Sequence, residues 1–149
     1  MKSLLTLVGF SLLFSLTVNL AAAADIKYSS TGFAYMTGGI GEEERAVLKQ
    51  HQKQFNLHLV FSIGDSEAAT NVDVRIFDMN NALIFRLLDA SPRLNIRLPA
   101  DSYSVVATRN GVKQSHHFTL EDNEAKQVIL NWKEADSAEA LTDKELTTE

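Results

Sequence analysis

The period of apolar residues changes once along this chain. Around residues 42–55, Val47, Leu48, His51 and Phe55 recur at i, i+1, i+4 and i+8, the spacing of one helix face. Glu42, Glu43 and Glu44 open that stretch, and Lys49, His51 and Lys53 close it. Acids first and bases last complement the helix dipole, so residues 42–54 are predicted as one helix. Its apolar stripe is too narrow for burial on several sides, and the helix should lie against something larger. Arg45, Lys49 and Lys53, at fourfold spacing, share a solvated face.

From Phe55 onward the period is two. Phe55, Leu57, Leu59, Phe61 and Ile63 alternate with Asn56, His58, Val60 and Ser62, the pattern of a half-buried strand. The same alternation returns at Val72-Val74-Ile76, Leu83-Phe85-Leu87, Leu94-Ile96-Leu98, Tyr103-Val105-Ala107, Val112–Leu120 and Val128-Leu130-Trp132. Tyr103 and Trp132 have the inward parity of their strands. Polar connections separate the runs: Gly64–Asn71, Asp78–Asn81, Pro99–Asp101 and Glu121–Glu124. Asn110-Gly111 is the strongest hairpin signal, because both positions of a type I′ turn need positive φ. Short strands at roughly ten-residue spacing predict a mainly β fold: a seven-stranded antiparallel β-sandwich with one N-terminal α-helix. Nothing between the strands reads as a crossover helix, which argues against a parallel sheet.

The ends read differently. Residues 25–41 are polar and glycine-punctuated and read as a leading loop, with a short extended piece at Phe33–Met36. Residues 42–132 form the helix-plus-sandwich domain. Residues 133–149 hold six acidic and two basic residues and almost no large apolar one, and read as an acidic disordered tail or a weak terminal helix.

The strands resemble a known family. Asn71-Val72-Asp73-Val74-Arg75-Ile76, followed by Leu98-Pro99-Ala100-Asp101-Ser102-Tyr103-Ser104-Val105, is similar to the carboxypeptidase regulatory-like domains. That resemblance implies a transthyretin-like (prealbumin-like) sandwich. Leu98-Pro99 and Tyr103-x-Val105 match the family pattern, and Asp101 stands where glycine is usual. With its leading segment and helix, the chain is similar to small exported proteobacterial proteins carrying this domain, which implies a fold rather than an activity. One transthyretin-like enzyme type hydrolyses hydroxyisourate and ends in Tyr-Arg-Gly-Ser. This chain ends in Leu146-Thr147-Thr148-Glu149, so that activity does not carry over.

Residues 1–24 add an address. Lys2, the apolar run Leu4–Val18 and Ala21–Ala24 before Asp25 have the three-part pattern of a cleaved signal peptide. The alternative, a membrane anchor, wants about 20 apolar residues, and Ser11, Ser15, Thr17 and Asn19 dilute this run. After cleavage no membrane span is expected. The chain has no cysteine, which excludes a lipoprotein anchor, a disulfide scaffold and thiolate catalysis. A net charge of −5 argues against nucleic acid as a partner. Together these point to a periplasmic or secreted bacterial protein.

Candidate chemistry is sparse. Gly38-Gly39-Ile40-Gly41 precedes the helix as an anion loop would, but three glutamates follow it and the Lys and Ser/Thr of a phosphate loop are missing. It reads as a turn setting the helix against the sheets, or as a partner-contact loop. His116 and His117 are adjacent on a strand and point to opposite faces, and His51 and His58 lie on different elements, so no metal set forms. His58 and His117 read as solvated strand positions. Glu121-Asp122-Asn123-Glu124 lacks the spacing of a calcium loop. Ser115-His116-His117 has no nucleophile elbow. Tyr28, Phe33, Tyr35 and Met36 read as anchors of the leading segment, with a glycan- or partner-binding cluster as the alternative. No catalytic, cofactor or metal residue is assigned. The partner-contact candidates are Tyr35, Gly38, Gly39, Gly41, Glu43, Arg45 and Lys49. The expected function is a non-catalytic binding or structural module of the bacterial envelope, meeting a protein partner there. The alternative is a small-ligand carrier or hydrolase of transthyretin type.

Overall fold

A computed structural model describes residues 25–134. The expected signal peptide and residues 135–149 of the acidic tail lie outside the described residues. The alternating runs form strands close to where the period places them. They are β3 (Leu57–Ile63), β5 (Val72–Phe77), β6 (Leu83–Ala90), β7 (Arg93–Ile96), β8 (Asp101–Arg109), β9 (Val112–Leu120) and β10 (Lys126–Trp132). The predicted helix is α1 (Glu42–His51), followed by a 3-10 turn at Gln52–Gln54. Asn110 and Gly111 turn with φ of 50° and 80°, as the hairpin between β8 and β9 requires.

Among the described residues there are ten strands where the periodicity predicts seven. Two additions, β1 (Lys27–Tyr28) and β4 (Glu67–Ala68), are two-residue ladders. The third, β2 (Ala34–Gly38), overlaps the short extended piece expected at Phe33–Met36 within the leading segment, and is a full strand there. It is an internal strand of a sheet, with Tyr35 opposite Ile96 on β7 and opposite Lys27 on β1. Its five residues carry neither a β-branched run nor strict alternation. Pairing with β7, rather than local propensity, makes it a strand.

One sheet has the order β1-β2-β7-β3-β10, with β4 also paired to β3, and the other has the order β6-β5-β8-β9. The expectation of purely antiparallel pairing fails at one place: β10 runs parallel to β3 through seven consecutive pairs, from Lys126 opposite Leu57 to Trp132 opposite Ile63. A parallel pair needs a long connection, commonly a helix. Here residues 64–125, including the entire second sheet, form that connection.

The two sheets share one core. Leu57, Leu59, Phe61 and Ile63 from the first meet Val72, Val74, Ile76 and Val105 from the second, and Trp132 closes it. At β6 only Phe85 of the three predicted inward residues is buried. Register shifts along the β5–β6 pair turn Leu83 out to solvent, as irregularities on edge strands do. A smaller cluster, Met36, Leu48 and Phe55, joins α1 to β2 on the opposite face of the first sheet. No α1 residue belongs to the main core. Among the described residues, no helix is long and apolar enough to cross a membrane.

Candidate functional site

Alternation gives the first sheet an inner and an outer face. Leu94 and Ile96 of β7 point into the core, so Arg93 and Asn95 stand on the outer face, beside His58 and Val60 of β3 and Gln127 of β10. Helix α1 approaches this face along β2. Gly38 permits the approach, because a β-carbon there would lie 3.3 Å from Glu44 Oε2 and 3.5 Å from Leu48 Cδ1. Between helix and sheet runs a groove of about 210 Å³, walled by Arg45, Lys49 and Gln52 and floored by Leu48, His58 and Asn95. Arg93 and Gln127 complete its rim.

The polar floor is fixed. Asn95 is a buried polar side chain, and its Oδ1 accepts a hydrogen bond from His58 Nδ1 at 2.9 Å, directly across the β3–β7 pair. An amide oxygen can only accept, so Nδ1 holds its proton toward Asn95 and Nε2 is the nitrogen left for the groove. One wall residue is tethered. Arg45 Nε donates to the Gly41 carbonyl at 3.0 Å, which leaves the terminal guanidinium nitrogens. The stem of Arg93 lies against Gly39, where a β-carbon would come within 3.1 Å of its Cγ. At the helix start, Glu44 Oε2 accepts from the Ile40 amide at 2.9 Å. That carboxylate is held at the turn, and no acidic side chain lines the groove. No protein-family model matches the chain, and no curated protein matches it. The site therefore has to be read from its own chemistry.

The sequence candidates divide here. Arg45 and Lys49 meet in the groove, and Gly38 and Gly39 shape it from beneath. Gly41 caps α1 with φ of 86°, and Glu43 is exposed on the helix. Tyr35 is not brought to this group. Its ring is half-buried on the other face of the sheet, edge-on to Phe85 at 5.4 Å. Of the other leading-segment aromatics, Phe33 packs against the main core and Tyr28 is exposed. Arg93, Asn95 and Gln127 were not among the sequence candidates, and His58 was one only as a residue that would line a pocket under the small-ligand alternative. Their polar alternation on β3, β7 and β10 was visible. What hid them was the strand order, which seats β7 between β2 and β3 under the helix.

A broader hollow of about 450 Å³ lies by the second sheet, lined by Asp78, Ser102, Tyr103, His117 and Phe118 among others. Tyr103 is committed to the fold there, its hydroxyl donating to the Pro99 carbonyl at 2.7 Å. Burial, then the nearby carboxylates of Asp101 and Asp78, push its phenol above the usual tyrosine range. His116 and His117 are both exposed on β9. Among the described residues, no three His, Cys, Asp or Glu side chains gather as a metal site would require.

Proposed function

We propose that this chain is a non-catalytic, exported binding module of the bacterial envelope, built on a transthyretin-like sandwich of seven principal strands. In this reading α1 and its entry turn meet a protein partner in the periplasm or outside the cell. One observation carries it. The core between the sheets is complete without α1, while Glu42, Glu43, Arg45, Lys49 and Gln50 of that helix stay exposed. A helix not needed to close the core, bearing charges of both signs, is available for recognition. The test reverses Glu43, Arg45 and Lys49 together. Fold and melting temperature should be kept while recovery of the envelope partner is lost. Unchanged recovery would make α1 a cover for the sheet and end the proposal. Export is tested separately: the intact mass of periplasmic protein should lack residues 1–24, and a mass that includes them would overturn it.

A second reading, a small-ligand carrier, is favoured by the groove lined by His58. Its hydrolase form would need Ser115, His116 and His117 to converge, and successive residues on β9 face opposite ways.

A further inference from the structure

We propose that the groove between α1 and the outer face of the first sheet binds a small oxyanion, a carboxylate or a phosphate. This deepens the binding-module reading and rests on its choice of α1 as the recognition surface.

The chain as a whole is acidic, at −5, yet Arg45, Lys49 and Arg93 converge on one groove from two elements far apart in sequence. None of the three is in an ion pair among the described residues. Three cations of like sign repel one another, and an anion seated between them removes that repulsion and adds charge-assisted hydrogen bonds. Elsewhere the surface offers carboxylates that could have faced them. Those of α1 lie at its first turn, and Glu44 is already engaged by the Ile40 amide.

The site is also pre-organised. Arg45 is tethered through Nε, which leaves its outer edge for a ligand. Arg93 is steadied by its stem on Gly39. The amides of Gln52 and Gln127 add neutral donors at the rim. The Asn95–His58 bond fixes the imidazole so that Nε2 can accept from a ligand hydroxyl or, when protonated, donate to the anion. A fixed arrangement of donors loses less entropy on binding than a mobile one.

The test is an amide-resolved NMR titration of the purified protein with inorganic phosphate and, separately, with succinate, against sodium chloride at matched ionic strength. Saturable shifts at Lys49, His58, Asn95 and Gln127 are expected with at least one oxyanion and not with chloride. Whichever saturates more tightly names the ligand class. Lys49→Gln combined with Arg93→Gln should weaken binding by roughly tenfold or more. Lys53→Gln, on the same segment but outside the groove, should leave it unchanged. Shifts that never saturate, that chloride reproduces, or that the double substitution leaves intact would overturn the proposal. If neither oxyanion binds but the α1 charge reversal still abolishes partner recovery, this inference fails and the binding-module reading stands. If an oxyanion binds while recovery is unchanged, the groove stands and that reading falls.

Discussion

Trp132 joins three interactions at the end of β10. It is 1% exposed, its ring lies 6.4 Å from that of Phe61, and its Nε1 donates to the Val112 carbonyl at 2.9 Å. That hydrogen bond ties the last strand of one sheet to the first residue of β9 in the other. Trp132→Ala should cost about 3–5 kcal/mol, because the void in a two-sheet core cannot collapse freely. Trp132→Phe keeps much of the ring and mainly loses the hydrogen bond, for about 1 kcal/mol. Urea unfolding of both variants separates packing from hydrogen bonding, and near-equal losses would contradict the division. Tyr103 makes a pH-dependent contribution. Its phenol titrates above the ordinary value of about 10, so the fold favours the protonated form. That stability is fully present below the unfolded-state value and is lost as pH rises through the folded-state value. Tyr103→Phe should flatten the decline of melting temperature in this alkaline range, and an unchanged slope would show that other groups cause it.

At the scale of elements, the turn that leads into α1 holds two glycines with different constraints. Gly39 and Gly41 both have left-handed φ, of 100° and 86°. A β-carbon at Gly41 would meet nothing within 4 Å, whereas one at Gly39 would press on the stem of Arg93. Gly41→Ala should therefore show only backbone strain, about 1–2 kcal/mol. Gly39→Ala should show that strain and also a change in the Arg93 side-chain resonances. Equal spectra around Arg93 in the two variants would refute the distinction. This contrast marks how far the sequence was legible. Asn110-Gly111 announced its turn through local chemistry. The helix and seven of the strands followed from their periods. Strand β2 showed only as a short extended piece at Phe33–Met36, because its pairing with β7 joins residues more than fifty positions apart. Asn56 was hidden in the same way. Its side chain accepts from the Leu98 amide and donates to the Leu98 carbonyl, at 2.9 and 2.6 Å, closing the end of β7 like an extra rung. The groove shares that origin: Arg45 and Lys49 could be placed on one helix face, but Arg93 and His58 could join them only once the sheet order was known.

For the whole molecule, the parallel seam between β3 and β10 sets the order of events during folding. Its two strands are the first and last long ones of the chain, and Leu57 must find Lys126 across all the intervening residues. Loop closure over that distance is an entropic debt met before any contact along the seam forms. A topology dominated by such distant pairings folds in roughly milliseconds to seconds, much more slowly than a helical bundle of similar size. Stopped-flow refolding monitored by the single tryptophan, which sits on the late strand, should report this step directly. A microsecond phase carrying the full amplitude would contradict it. Until Trp132 has emerged and docked, the far edge of β3 has no partner. A nascent chain of this design therefore stays open until nearly all of the described residues have been synthesised.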